Sequence, residues 1–183
     1  MIYKVLIISI ATSVLLTACN DTSPQSEQEA SSTKSMIAPN LQQLMAKTKK
    51  LAWPVTFTSQ ELSKLATENT EPGYTQNFGY WVVNDGLIAF LYFQNHALYY
   101  NIHLVVYNAQ TGKAIADKVL GAVGVTRLGG ISYEHNCNLS LKTKIDLISK
   151  TKMEPVTSDE RAGVSLNRYC KINSKGLIQM KEY

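Results

Sequence analysis

The sequence contains few of the residues from which metal and catalytic sites are usually built. It has three histidines and three cysteines among 183 residues. His96, His103 and His135 have none of the spacings typical of zinc motifs. The Gly-x-Ser-x-Gly elbow of many serine hydrolases is missing as well. We therefore expect no metal and no cofactor, and the interpretation of the chain as an enzyme is not favoured.

The chain also lacks an apolar run long enough to cross a membrane, for which about 20 residues are needed. The apolar run at residues 5–16 follows Lys4 and ends at small and polar residues, among them Thr17, Asn20 and Asp21. A basic start, a short apolar core and small residues at the end are the layout of a secretory signal. Residues 1–18 are therefore predicted to be a signal peptide.

The end of this leader, Leu16-Thr17-Ala18-Cys19, resembles the lipobox of bacterial lipoproteins. The resemblance covers residues 1–19 and implies cleavage before Cys19 and attachment of lipid, including palmitate, to that thiol. Two or three acyl chains hold a protein at a bilayer where a single chain would not. In many Gram-negative bacteria an Asp after the cysteine favours retention at the inner membrane. Asn20 stands there, which favours the periplasmic face of the outer membrane.

The segment after the lipobox is almost entirely polar and cannot bury enough apolar area to offset the entropy of folding. Residues 19–38 are therefore predicted to be the lipidated cysteine and a disordered tether. Residues 39–183 have the size of one domain. The net charge of the full chain is +4, but its basic residues are scattered and no aromatic platform accompanies them. This pattern argues against nucleic-acid binding.

The domain is predicted to be an α+β fold, with a mostly antiparallel sheet, meander-like or sandwich-like, behind one or two short helices. Thr58 and Glu61 have the spacing of a capping box before a helix. Asn84-Asp85-Gly86 lies between two runs of branched and aromatic residues and predicts a tight hairpin. The glycines of residues 120–130 predict a loop with positive φ angles or a close crossing of strands.

Cys137 and Cys170 remain once Cys19 is assigned to lipid. Each lies on the apolar side of an alternating segment, so both side chains are predicted to point inward. An even pair of cysteines in an exported protein predicts a disulfide. The alternative is a catalytic thiol, because Glu134 and His135 precede Cys137. Neighbours on a strand point to opposite faces, however, and oxidation would consume the thiol.

One strand face suggests a surface for recognition. On the segment of residues 98–107, Tyr99, His103 and Tyr107 lie opposite an apolar face. Amphipathic rings are common at recognition surfaces because they supply contact area at low entropic cost. The alternative is that the helices cover this face and that the rings form a second core layer.

Together these features predict a membrane-anchored lipoprotein of the bacterial cell envelope that acts as a binding or structural module. Its expected partners are the lipid bilayer, through acylated Cys19, and another envelope protein. Two alternatives stay open, namely a periplasmic inhibitor or immunity protein against a toxin or cell-wall hydrolase, and a hydrolase without a familiar motif. An inhibitor would block one protein tightly, whereas a hydrolase needs a cleft lined by convergent titratable groups.

Overall fold

The computed structural model of the protein describes residues 37–66, 73, 75–157 and 163–183. The predicted signal peptide, Cys19 and nearly all of the predicted tether lie outside these residues. Within the described part the chain order is α1 (Pro39–Ala46), β1 (Val55–Phe57), α2 (Ser59–Ala66), β2 (Thr75–Asn84), β3 (Leu87–Asn95), β4 (Tyr99–Asn108), β5 (Ala114–Leu128), β6 (Ile131–Leu141), β7 (Asp146–Pro155), β8 (Val164–Ile172) and β9 (Ile178–Glu182).

The strands form one antiparallel sheet in the order of the chain. Each strand from β2 to β9 is hydrogen-bonded to the next one, and β1 pairs with β6. This arrangement confirms the predicted α+β fold with a mostly antiparallel sheet. Short connections suffice because antiparallel neighbours can be joined by tight turns. Among the described residues, no helix combines the length and the apolar character that crossing a membrane would require.

Two short helices are present, in line with the predicted one or two, and α2 begins directly after the predicted capping residue Thr58. The capping box of α2 is confirmed, since the Thr58 N–H donates to Glu61 Oε2 at 2.8 Å and the Glu61 N–H donates to Thr58 Oγ1 at 3.3 Å. The backbone bond from Thr58 lowers the pKa of Glu61. Helix α1 carries Pro39 in its first turn, where the missing N–H has no helical partner to lose.

The predicted hairpin is also confirmed. Asn84 pairs with Leu87, which leaves Asp85 and Gly86 as the turn between β2 and β3. The Gly86 N–H donates to the Asn84 side chain at 2.9 Å. An asparagine side chain that accepts a bond from two residues ahead stabilises such turns locally.

One apolar cluster joins nearly every element of the fold, and we call it the main core. It holds buried side chains from α2 and from strands β2 to β9. Trp81 of β2 is fully buried in it, and its indole N–H donates to the Lys144 carbonyl in the β6–β7 turn at 2.8 Å. The sheet therefore curls so that its early and late strands face the same interior. The opposite face of β2 to β5 is called the outer face below.

The glycine-rich segment of residues 120–130 is mostly strand, so the predicted loop is wrong. Strand β5 continues through it to Leu128, and the turn follows at Gly129 and Gly130, both with positive φ. The alternative prediction of a close crossing is confirmed at Gly121. A Cβ there would overlap Thr151 Oγ1 and would lie 2.7 Å from Cys137 Sγ. Only glycine lets β5 approach β6 and β7 this closely.

The predicted disulfide between Cys137 and Cys170 is wrong for this fold, in which both thiols are free. Both side chains point inward as predicted and are fully buried. Strand β7 separates them, however, because Cys137 pairs with Thr151 and Cys170 with Leu147. Two strand spacings and four residues of offset place their Cα atoms roughly 16 Å apart. A disulfide requires less than about 7 Å.

Chemical labelling of the native protein should therefore find two masked thiols. Burial raises the pKa of Cys170 to about 11 and also raises that of Cys137, so neither forms the reactive thiolate readily. We expect iodoacetamide to modify both cysteines only after unfolding in guanidinium, with or without prior reduction. A peptide that links Cys137 to Cys170 in a map made without reductant would contradict this register of β6, β7 and β8.

Candidate ligand-binding cleft

A cleft opens on the outer face of the sheet beside α1. The helix packs there on a second apolar cluster, whose buried members are Leu41, Ile88, Phe90, Val105 and Ala109. With eight residues, it covers only part of the strands beneath it. The uncovered part is a cleft of about 310 Å³. Its lining comprises the apolar Leu44, Val105 and Ala114 and the polar Thr75, Asn77, Tyr92, Tyr107 and Asp117.

Three side chains from three strands form a hydrogen-bonded network at this cleft. Asp117 of β5 accepts a bond from His103 Nδ1 through Oδ1 at 2.9 Å and a bond from the Tyr92 hydroxyl through Oδ2 at 2.6 Å. The rings of Tyr92 and His103 stack, with centroids 4.5 Å apart and an interplanar angle of 21°. His103 is 9% exposed, whereas the Asp117 side chain is 45% exposed. The hydrogen bonds from Tyr92 and His103 therefore orient the Asp117 carboxylate, which stays accessible from the cleft.

In this network Tyr92 and His103 are the hydrogen-bond donors, and Asp117 is the acceptor. Burial, and then the hydrogen bond to Asp117, raise the pKa of Tyr92 far above its usual value. Its phenol therefore stays protonated at neutral pH and donates to the carboxylate. An ionised carboxylate accepts but does not donate, so His103 Nδ1 must carry the proton in its bond. Asp117 uses one lone-pair direction on each oxygen, which leaves further acceptor positions toward the cleft.

One ring nitrogen of His103 contacts the carboxylate, and the other contacts no polar group among the described residues. This other nitrogen is Nε2, which is buried. In a Ser-His-Asp arrangement this second nitrogen would contact the attacking hydroxyl. An unsatisfied buried nitrogen costs about 1 to 3 kcal/mol. The ring is therefore held at this position by its packing on Tyr92 and by the bond to Asp117.

The three residues of the predicted recognition surface have different surroundings. Tyr107 lines the cleft and packs edge-on against Phe90, with ring centroids 5.6 Å apart. His103 lies beneath the cleft in the network with Asp117. Tyr99 is not among the residues of the cleft and belongs to a separate stack of rings. Tyr107 packs against the apolar cluster under α1, whereas Tyr99 stacks with His96 and His135, so the three rings do not form one continuous aromatic surface.

The separate stack consists of His96, Tyr99 and His135. Tyr99 lies 4.9 Å from His96 and 6.0 Å from His135 between ring centroids, with interplanar angles of 15° and 24°. Gly124 pairs with both Tyr99 and His135 and has no side chain to separate them. Its φ of +104° is a conformation that other residues rarely adopt. A glycine in β5 therefore permits this contact between rings.

The acid, base and thiol at residues 134–137 are not brought together. His135 Nε2 bonds with Thr126 Oγ1 at 2.9 Å, whereas the buried Cys137 thiol contacts Ser149 Oγ at 3.4 Å. Burial lowers the pKa of His135 and raises that of Cys137. Within the part of the chain that the structure describes, no three His, Cys, Asp or Glu side chains are placed to hold a metal ion.

Two residues of the network, Tyr92 and Asp117, were not predicted from the sequence. Tyr92 lies in a run of apolar and aromatic residues, and Asp117 lies in a strand whose facing cannot be read from alternation alone. Comparison of the chain with models of protein families, with curated proteins and with solved structures finds no match. The site is therefore interpreted from its own geometry.

The lowered pKa of His135 predicts a specific dependence of stability on pH. Because the folded protein disfavours the charged ring, the neutral form contributes stability that is complete above the unfolded pKa of about 6.5. That contribution is lost as the pH falls from there through the folded pKa. The free energy of unfolding, measured in urea, should therefore fall more steeply between pH 7.5 and 4.5 for the wild type than for His135→Gln. An NMR titration that placed the His135 pKa at or above 6.5 would contradict this assignment.

Proposed function

We propose that the protein is a membrane-anchored lipoprotein of the bacterial cell envelope whose folded domain acts as a binding module, with the cleft beside α1 as its binding site. The observation that supports this function is the Asp117 carboxylate, which is accessible and yet held by Tyr92 and His103. A polar group that is already oriented loses little freedom when a ligand arrives. Such supported groups are characteristic of binding sites.

The dimensions of the cleft indicate the size of the ligand. A volume of about 310 Å³ is at the small end of the range of about 300 to 1,000 Å³ that small-molecule sites occupy. The lining alternates apolar and polar groups, which suits a ligand with both kinds of surface. The cleft would take a small molecule or one side-chain-sized unit of a larger envelope component.

The resemblance of Leu16-Thr17-Ala18-Cys19 to a lipobox supports the proposed location. Lipid on Cys19 and the polar tether would hold the domain close to the membrane surface. A tether of this length has a root-mean-square span of roughly 20 to 25 Å. Asn20 favours the outer membrane, with the domain on its periplasmic side. In this arrangement the cleft would meet ligands of the periplasm.

The anchor is tested by Cys19→Ser in a Gram-negative host. We expect wild type to incorporate labelled palmitate and to partition with membranes, whereas Cys19→Ser should lose the label and appear uncleaved or soluble. Ser23→Ala, which leaves the lipobox intact, serves as the matched control and should behave as wild type. Wild-type protein recovered without lipid from the soluble periplasm would overturn the proposed anchor.

The cleft is tested by NMR screening of the wild-type protein with a fragment library that contains amines, acids, sugars and neutral amides. We expect hits to shift the backbone signals of Tyr107, Ala114 and Asp117. Ala114→Trp should remove these shifts by filling the cleft. Ser174→Trp places the same ring at an exposed turn and should retain them. If no fragment class perturbs the cleft of wild type, the proposed binding site is wrong.

A further inference from the structure

We propose that the cleft beside α1 selects organic cations with N–H donors, such as protonated primary amines, and that Asp117 is their counter-ion. This inference rests on the proposed binding function and specifies the chemistry of its ligand. It follows from the charge of the cleft, from the free acceptor positions of its carboxylate and from the two tyrosine rings beside it.

The charge of the cleft has one sign. Asp117 is the one charged side chain in the lining of the described cleft. Among the described residues, the ion pairs of Lys and Arg involve Glu154 and Glu182 and leave Asp117 without such a partner. His103 donates its Nδ1–H to this carboxylate at 2.9 Å, and its buried Nε2 has no partner among the described residues. An anionic ligand would meet this carboxylate with no Lys or Arg in the lining of the described cleft.

The free positions on Asp117 match a donor with several N–H groups. One lone-pair direction of Oδ1 is used by His103 and one of Oδ2 by Tyr92. A carboxylate has about four acceptor positions, so a donor at the open side can still bond to it. An ammonium group has three N–H donors. The side-chain oxygens of Thr75 and Asn77, which line the same cleft, provide acceptors for the others.

The aromatic lining favours the same class of ligand. Tyr92 and Tyr107 both line the cleft, and aromatic rings attract cations through their quadrupole. Burial, and then the negative charge of Asp117, raise the pKa of Tyr107. Leu44, Val105 and Ala114 provide apolar surface for the alkyl part of an amine. Lys47 lines a neighbouring depression that shares Leu44, Thr75 and Asn77 with the cleft, but it is not part of the cleft's own lining.

The proposal is tested on the wild-type protein with three probes of similar length, pentylamine, pentanol and hexanoate, and binding is followed by NMR titration of the cleft signals. We expect pentylamine to bind at least about tenfold more tightly than pentanol, because a charge-assisted hydrogen bond is about twice as strong as a neutral one. Hexanoate should bind more weakly than either. Equal binding of amine and alcohol, or preferred binding of the acid, would overturn the cation inference while leaving the cleft as a binding site.

Asp117→Asn keeps the size of the side chain and one acceptor oxygen, and it should reduce the affinity for pentylamine about tenfold while changing that for pentanol little. Glu134→Gln removes an exposed carboxylate outside the cleft and should leave both affinities unchanged. The spectrum of each variant establishes whether the fold is retained. The comparison among the three probes needs no variant, so the inference can fail even if Asp117→Asn does not fold. Failure of all three probes and of the whole library would instead contradict the proposed function.

Discussion

The position of one extra residue in β5 determines which way the cleft carboxylate points. Ile102 pairs with Gly121, but the next residue, His103, pairs with Val119, so Leu120 is bulged out of the ladder. In a regular ladder Asp117 would pair with Val106 and face the main core, because a slip of one residue moves a side chain to the opposite face. With the bulge, Asp117 pairs with Val105 and faces outward. Its bonds to Tyr92 and His103 depend on this register.

The same bulge connects β5 to strands β7 and β8, which are not its neighbours in the sheet order. Residues of a bulge are freed from regular pairing, and the Leu120 carbonyl accepts bonds from Ser149 Oγ at 2.9 Å and from Arg168 Nη1 at 3.1 Å. The Leu120 side chain is fully buried in the main core. Arg168 also bonds to Glu182 of the last strand at 3.0 Å. The cleft network and the packing of β7, β8 and β9 therefore share one element.

Local sequence signals predicted the parts of this fold that depend on local geometry. The capping box at Thr58 and the hairpin at Asn84 were predicted correctly because each requires only contacts between residues close in the chain. Alternation also showed that Cys137 and Cys170 point inward. It could not show that β7 separates them, because the pairing of distant segments depends on the order and register of the whole sheet. The predicted disulfide was therefore wrong, although the inward direction of both cysteine side chains was predicted correctly.

The sequence predicted an interaction surface of Tyr99, His103 and Tyr107 but not the cleft itself, for a related reason. Alternation placed Tyr99, His103 and Tyr107 on one face of β4, and this facing is correct. Their different surroundings follow from where α1 ends and from the missing side chain of Gly124. The outward direction of the Asp117 side chain could not be predicted, because counting along β5 without the bulge assigns it to the opposite face. A glycine directly after Leu120 was the available signal, because glycine within a strand often marks a bulge.

The most direct test of this account is the register of β4 and β5 in solution, measured by cross-strand proton contacts in NMR spectra of the folded domain. The structure predicts contacts that pair Ile102 with Gly121, His103 with Val119 and Val105 with Asp117, with Leu120 lacking an opposite residue. Contacts that pair His103 with Leu120 and Val106 with Asp117 would show a ladder without the bulge. The carboxylate would then face the core, and the proposed site would be contradicted.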